Sequence, residues 1–286
     1  KNLKGSVFVS DFFKVLSNKG FDVFVYDKVV FNPTLSCMNK AVSLAKGFNP
    51  DFVLALGGGS VIDSAKAVCV GLFGDLWSFV EKKSFIKKAL PLVALNSTSG
   101  TSSQLTPYAV ITNDSCFEKK TLKDSHLLPN LSVSDLKFLV SMPKSVVAST
   151  GFDVLCHALE VFSRNDCSKP ASLACIKSFE FIRDNLVDSF NNKSVASKVG
   201  MMFADAYAGL ALALLGTHVP HAISHPISAR FPKFSHGLAL ALVSPNTFSK
   251  LVDKEDSFLN DKLRQASFFL GGDGDIVKSL NYFIDK

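Results

Sequence analysis

Two short apolar runs, Phe52–Leu56 (FVLAL) and Pro91–Leu95 (PLVAL), contain no polar side chain, and a loop of small residues follows each. A continuous apolar run needs cover on both faces, which a parallel sheet between helices supplies. The first loop is Gly57-Gly58-Gly59, followed from Ser60 to Val70 by helical spacing. The second is the polar stretch Asn96–Thr106. Strand, small-residue loop and helix in this order predict a doubly wound α/β domain that binds a dinucleotide. Phe21–Tyr26 (FDVFVY) adds a β-rich run upstream, and Leu35–Lys46 adds a helix after the turn Asn32-Pro33-Thr34.

The character changes after Met142-Pro143. Lys144–Ser163, Pro170–Asn185, Ser194–Leu215 and the stretch from Pro245 keep a helical period. The 286 residues therefore divide into an α/β domain over 1–142 and an all-α domain over 143–286. At 47% apolar and 20% charged, the composition excludes collagen, coiled coil and disorder. The net charge of +6 is spread out, and its densest runs, Glu81-Lys82-Lys83 and Lys119-Lys120, are too short for a nucleic-acid stripe. The longest uncharged stretch has an apolar part, Ala206–Gly216, too short to span a bilayer. Neither nucleic acid nor membrane is thus an expected partner. Six cysteines with no C-x-x-C pair read as reduced thiols of a cytoplasmic protein. The opening Lys1-Asn2-Leu3-Lys4 predicts no signal peptide.

Two sets of residues carry chemistry. The glycines at 57–59 let backbone approach a pyrophosphate, which free N–H groups at a helix start favour. Asp63 and Lys66 lie on the first turns of that helix, where both can face the same ligand. A triple glycine is equally the mark of a plain tight turn. The loop Ser97–Ser103, six of whose seven residues bear hydroxyls, follows the adjacent strand and reaches the same crevice. Of six histidines, five fall between 157 and 236. Asp153 and His157 are spaced i, i+4 in a helical context, so they share a face. His221 and His225 repeat that spacing after Pro220, a residue suited to a helix start. His236 opens the next helix. A carboxylate with several imidazoles suits iron or zinc rather than calcium or magnesium. Any one of these histidines is as readily a core or surface residue; two helical pairs and a third element make a metal centre.

These segments together resemble the iron-type (group III, metal-dependent) alcohol dehydrogenases. Leu56–Lys66 (LGGGSVIDSAK) is similar to the family's GGGSxxDxxK motif, and Pro91–Thr106 to its second strand and TTAGTGSExT loop. Ser149–Glu160 resembles the helix STGxDAxxHAxE, and His221–Gly237 the segment with the last two ligands. The resemblance implies a dehydroquinate synthase-like architecture, an α/β dinucleotide domain and a helical domain with a metal, Fe2+ or Zn2+, between them. Asp153, His157, His221 and His236 would be its ligands. Gly58, Gly59, Ser60 and Asp63 would hold NAD or NADP, Lys66 with Thr98 and Thr101 beside it would lie nearer its reactive end, and Lys120 would match a family lysine near the cofactor. His225 would relay the proton.

The implied activity is hydride transfer between nicotinamide and a small aldehyde or alcohol, in a homo-oligomer expected to be a dimer. Ala148–Ser163 with His221–His236 is most similar to the phosphonoacetaldehyde reductase branch. A glycerol dehydrogenase- or dehydroquinate synthase-like enzyme, or a non-catalytic relative, stays open as an alternative. Three departures stand out: Gln104 replaces the usual Glu, Asn96 replaces Pro, and His221 to His236 is one residue longer. Against the family's anatomy the chain is roughly a quarter short. It therefore reads as a fragment, with a first strand expected before Lys1 and further helices after Lys286.

Overall fold

The computed structural model describes residues 7–192, 194–252 and 256–286. The chain begins with α1 (Val7–Asn18), α2 (Leu35–Phe48), β1 (Val53–Gly57), α3 (Gly59–Gly71) and α4 (Leu76–Val80). It continues through β2 (Leu92–Asn96), β3 (Tyr108–Asn113), β4 (Glu118–Lys123), β5 (Leu131–Ser134) and α5 (Leu136–Leu139). From there the described residues form helices only: α6 (Lys144–Phe162), α7 (Lys169–Phe190), α8 (Val195–Leu215), α9 (Val219–Arg230), α10 (His236–Val252), α11 (Ser257–Phe269) and α12 (Ile276–Ile284).

The α/β part is built on a parallel sheet in the order β1-β2-β5, with Leu54 opposite Val93 and Val93 opposite Leu131. Both apolar runs thus become neighbouring strands, and their loops emerge at one carboxyl edge. Strand β3 lies outside this sheet, in an antiparallel hairpin with β4. The sequence gives little sign of β4, because EKKTLK offers a single buried apolar side chain, Leu122.

The expected strand at Phe21–Tyr26 does not form. Those residues belong to no strand, and Phe21, Val23, Phe24 and Val25 are exposed. β-Propensity needs a paired neighbour to be realised, and no described strand pairs with this run. Its rings instead rest on the α2–β1 corner, Phe21 at 5.9 Å from Phe52 and Phe24 at 5.5 Å from Phe48.

The helical part surrounds α6, whose second half from Gly151 to Phe162 is buried throughout. By length and composition α6 and α8 could each cross a bilayer. Here the apolar side chains of α6 are instead covered by α7, α8, α10 and α11, with Phe162 edge-on to Phe179 at 5.5 Å. Aromatic pairs of this kind favour edge-to-face geometry.

The two parts are joined by polar clamps around the 96–110 segment. Lys66, fully buried on α3, donates from Nζ to the carbonyls of Thr106 and Tyr108, at 2.7 and 2.6 Å. Asp63 accepts from the Ser103 hydroxyl at 2.5 Å and the Val110 N–H at 3.0 Å. From the helical side, buried Asp205 on α8 accepts from Ser102 N–H and Oγ and from Gln104 Nε2, at 3.0, 2.8 and 2.8 Å. This accounts for Gln104: the usual Glu would set a second carboxylate against Asp205. Asn96 likewise replaces a proline's rigidity with two bonds to Thr98, donating to its carbonyl and accepting from its N–H.

Burial pushes the Asp205 carboxyl up to about 6, against its three donors. A carboxyl raised on folding binds its proton more tightly in the native state, so stability rises as pH falls through about 6 and levels off near 3.8. The change amounts to on the order of 2–3 kcal/mol. Urea unfolding between pH 4 and pH 8 should show this component in the parent and lose it in Asp205→Asn, whose amide can also donate to the unpartnered Oε1 of Gln104. Equal pH profiles in the two proteins would exclude this account of the clamp.

Candidate metal centre

Three helices aim side chains at one buried point. Asp153 and His157 project from the middle of α6, one turn apart as their spacing requires. His221 comes from the first turn of α9, where Pro220 sets the helix start. His236 is the first residue of α10. Around Asp153 Oδ1 stand His221 Nε2 at 3.3 Å, His157 Nε2 at 3.4 Å and His236 Nε2 at 3.6 Å. One ligand atom each from Asp153, His157 and His221 falls within a 4.8 Å cluster.

Close helix approach makes this possible. A Cβ on Gly237 would lie 1.8 Å from the Ser149 carbonyl oxygen, so α10 can abut α6 there only through glycine. The Gly237 N–H then donates to Ser149 Oγ at 3.2 Å, fixing His236 opposite Asp153. His236 meets the cluster despite its longer spacing from His221, with residues 231–235 forming the connection between α9 and α10.

The donor set fits a divalent cation. Asp153 Oδ1 and His221 Nε2 are buried, lie 3.3 Å apart and yet make no hydrogen bond. Unpaired buried polar atoms are costly unless something satisfies them, and a metal satisfies both at once. The rings of His157 and His221 stack at 4.7 Å, which directs their nitrogens side by side. Burial would raise the Asp153 carboxyl, but His157, His236 and His221 outweigh it and hold the group well below the usual carboxylate range. Burial lowers His157 and drives His236 well down, so both keep the neutral form that ligation needs. His221 is the exception: burial lowers it, yet Glu160 and Asp153 together carry it up to about 9.

Glu160 lies one turn beyond His157 on α6 and is fully buried. Its Oε1 is hydrogen-bonded to His221 Nδ1, and its Oε2 accepts the His218 N–H at 2.7 Å. Spacing within the Ser149–Glu160 motif gives Glu160 no role, because both of its partners lie about sixty residues further along the chain.

On the cofactor side, Thr98 and Thr101 lie directly over Gly58 and Gly59, closing the two loops on each other. Gly58 caps α3 with no side-chain hydrogen bond, which leaves the first N–H groups of the helix, from Gly59 and Ser60, open to an anion. Buried Thr98 Oγ1 and Ser99 Oγ have no partner among the described residues. Gly100 brings this loop against α6, since a Cβ there would meet Thr150 Cβ at 2.2 Å, one turn before Asp153.

Three expected cofactor residues have protein partners in this structure. Asp63 and Lys66 are committed to the clamps at Ser103, Val110, Thr106 and Tyr108, because burial of a charged head requires all available partners. Lys120 is paired with Glu118 at 2.7 Å and sits over the Trp77 ring, on the outer face of the hairpin. Alternation along β4 turns the preceding residue the other way. Lys119 Nζ donates to Ser228 Oγ on α9 at 3.0 Å and to Asn32 Oδ1 at 3.2 Å. Burial lowers Lys119 to about 8, against the attraction of Asp153 and Asp63. Strand parity marks this lysine once the hairpin is known; the sequence alone leaves its register open. His225, one turn after His221, is 5.5 Å from the His236 ring. Burial, then the Lys119 charge, lowers it to about 3, so it is neutral near pH 7.

Comparison with known proteins matches both halves. The family described as "Iron-containing alcohol dehydrogenase" matches residues 2–136, and "Fe-containing alcohol dehydrogenase family, C-terminal" matches 147–282. Alcohol dehydrogenase 4 of Saccharomyces cerevisiae is 30% identical over 240 residues, 82% of this chain and 62% of the yeast protein. This chain therefore spans less than two thirds of that relative's length. Among solved structures, an archaeal halo-thermophilic Red Sea brine pool alcohol dehydrogenase matches all of this chain and 76% of its own, with TM-score 0.95 and 29% identity. The NADH-dependent butanol dehydrogenase A of Thermotoga maritima matches 99% of this chain and 73% of its own, with TM-score 0.87 and 26% identity. On both its α/β and its helical part, this chain belongs to the iron-containing alcohol dehydrogenase family.

Proposed function

We propose that the protein is a metal-dependent, NAD(P)-linked alcohol dehydrogenase that reduces small aldehydes. The observation that carries this reading is the cluster of buried Asp153, His157 and His221 with the half-buried His236, holding two unsatisfied ligand atoms beside an uncapped helix start. A divalent cation held by these four residues would supply Lewis-acid polarisation of a carbonyl oxygen. The N–H groups of Gly59 and Ser60 would hold the cofactor's pyrophosphate, and Thr98 and Thr101 would orient the part beyond it, the positioning that hydride transfer needs. Reduction also consumes a proton. His225, neutral near pH 7, would relay that proton, with the buried Lys119, lowered to about 8, as its charged neighbour.

The chain's positive charge suits an anionic small aldehyde, and phosphonoacetaldehyde follows from the branch that the α6 and α9 segments resemble. Iron and zinc both match the donor types, and the choice between them rests on availability as well as geometry.

The purified chain, supplied with Fe2+ or Zn2+, should oxidise NADH or NADPH in the presence of aldehydes from an acetaldehyde, butyraldehyde and phosphonoacetaldehyde panel. His221→Ala should lose tightly held metal after dialysis, read by elemental analysis, together with turnover. Lys119→Ala should retain the metal and lower kcat/KM by about 100-fold or more. Turnover that persists in metal-free protein, or full metal content in His221→Ala, contradicts this reading. Cofactor binding without turnover under either metal would instead mark a non-catalytic relative.

A further inference from the structure

We infer that Glu160 is a positioning residue for the metal centre, holding His221 in the tautomer and orientation that ligation needs. The inference rests on the metal-site reading above. Glu160 is 0% exposed, and no lysine or arginine pairs with it among the described ion pairs. Each of its oxygens has a distinct task. Oε1 accepts the hydrogen bond of the His221 Nδ1–H and keeps the proton on that nitrogen, so that the other nitrogen, Nε2, which faces Asp153, is the one left to bind a cation. Oε2 receives the backbone N–H of His218 at 2.7 Å, with the His221 N–H at 3.5 Å, and so ties the opening of α9 to α6. One carboxylate therefore sets both the ring's tautomer and the position of its backbone relative to Asp153 and His157.

The neighbouring contacts support a fixed geometry. Ser163 Oγ, just past the end of α6, is bonded to His218 Nε2 at 2.9 Å, and itself donates to the Glu160 carbonyl at 3.1 Å. The loop before α9 is thus held at its backbone by Glu160 and at its side chain by Ser163. A carboxylate on the distal nitrogen of a ligating histidine also raises that ligand's basicity. It brings the buried negative groups at the centre to two, Asp153 and Glu160, the number that balances a divalent cation.

Glutamine is the informative substitution. It has the same shape, but its single carbonyl oxygen can accept from the His221 ring or from the His218 N–H, not from both. Titration of the parent and of Glu160→Gln with Co2+ alone, followed by the visible absorption of the bound ion, separates the outcomes. The expected result is a 10- to 100-fold weaker Kd with an altered absorption spectrum, at unchanged far-UV circular dichroism. Glu160→Asp, which keeps two acceptors on a shorter stem, should recover part of the affinity. A merely structural role would lower the Tm of metal-free protein and leave Kd and spectrum alone. Affinity within twofold of the parent, with the same spectrum, overturns the assignment even if the metal site is real. If Glu160→Gln does not fold, an Asp variant with parental affinity and spectrum overturns it equally. A parent protein that binds no Co2+ overturns the metal-site reading itself, and this inference with it.

Discussion

The whole arrangement turns on one buried carboxylate. Asp153 lies in the half of α6 that is covered on every side, with its Oδ1 faced by three imidazoles from three helices. A carboxylate in such a place is costly unless it is fully compensated. The fold meets this demand by convergence: Gly237 lets α10 touch α6, Glu160 ties α9 to it, and His157 stands one turn along the same helix. Apolar packing explains none of the polar side chains at 153, 157 and 160, where leucines would serve it better.

A second requirement is that the nucleotide loops be rigid and close to this point. Small residues at 97–103 have little packing of their own, so the loop is fixed by polar clamps instead. Asp63 holds its Ser103 from α3, Lys66 anchors the chain just beyond it at Thr106, and Asp205 holds Ser102 from α8. Gly100 then reaches α6 at Thr150. The cofactor loop and the metal helix are therefore parts of one packed unit, and a shift in either is felt at the other.

Much of this was legible in the residues. Continuous apolar runs ending in small-residue loops specify parallel strands at a ligand-binding edge, and β1 and β2 obey that rule. Helical i, i+4 spacing of Asp153 with His157 places both on one face without any knowledge of the tertiary structure. What the sequence hides is direction. Asp63 and Lys66 sit on the turns nearest the phosphate loop, yet both are hydrogen-bonded to the 103–110 segment, some forty residues along the chain, through the Ser103 hydroxyl and three backbone groups. Lys119 and Lys120 differ by one position, and only the β3–β4 pairing tells which faces inward. The Phe21–Tyr26 run has strand-forming residues, but pairing is a property of two segments and its own composition cannot supply the second. Glu160 is visible as a charge in an apolar helix, a signal that should prompt the search for a buried partner.

One cation site built from a carboxylate and three imidazoles is what the convergence of α6, α9 and α10 requires. X-ray absorption at the metal edge, on protein loaded with one equivalent of Zn2+ and dialysed, tests it directly. Nitrogen and oxygen neighbours at about 2.0–2.1 Å, with the multiple-scattering pattern of three imidazole rings, are expected. A sulfur neighbour at about 2.3 Å, or the pattern of a single ring, would contradict it.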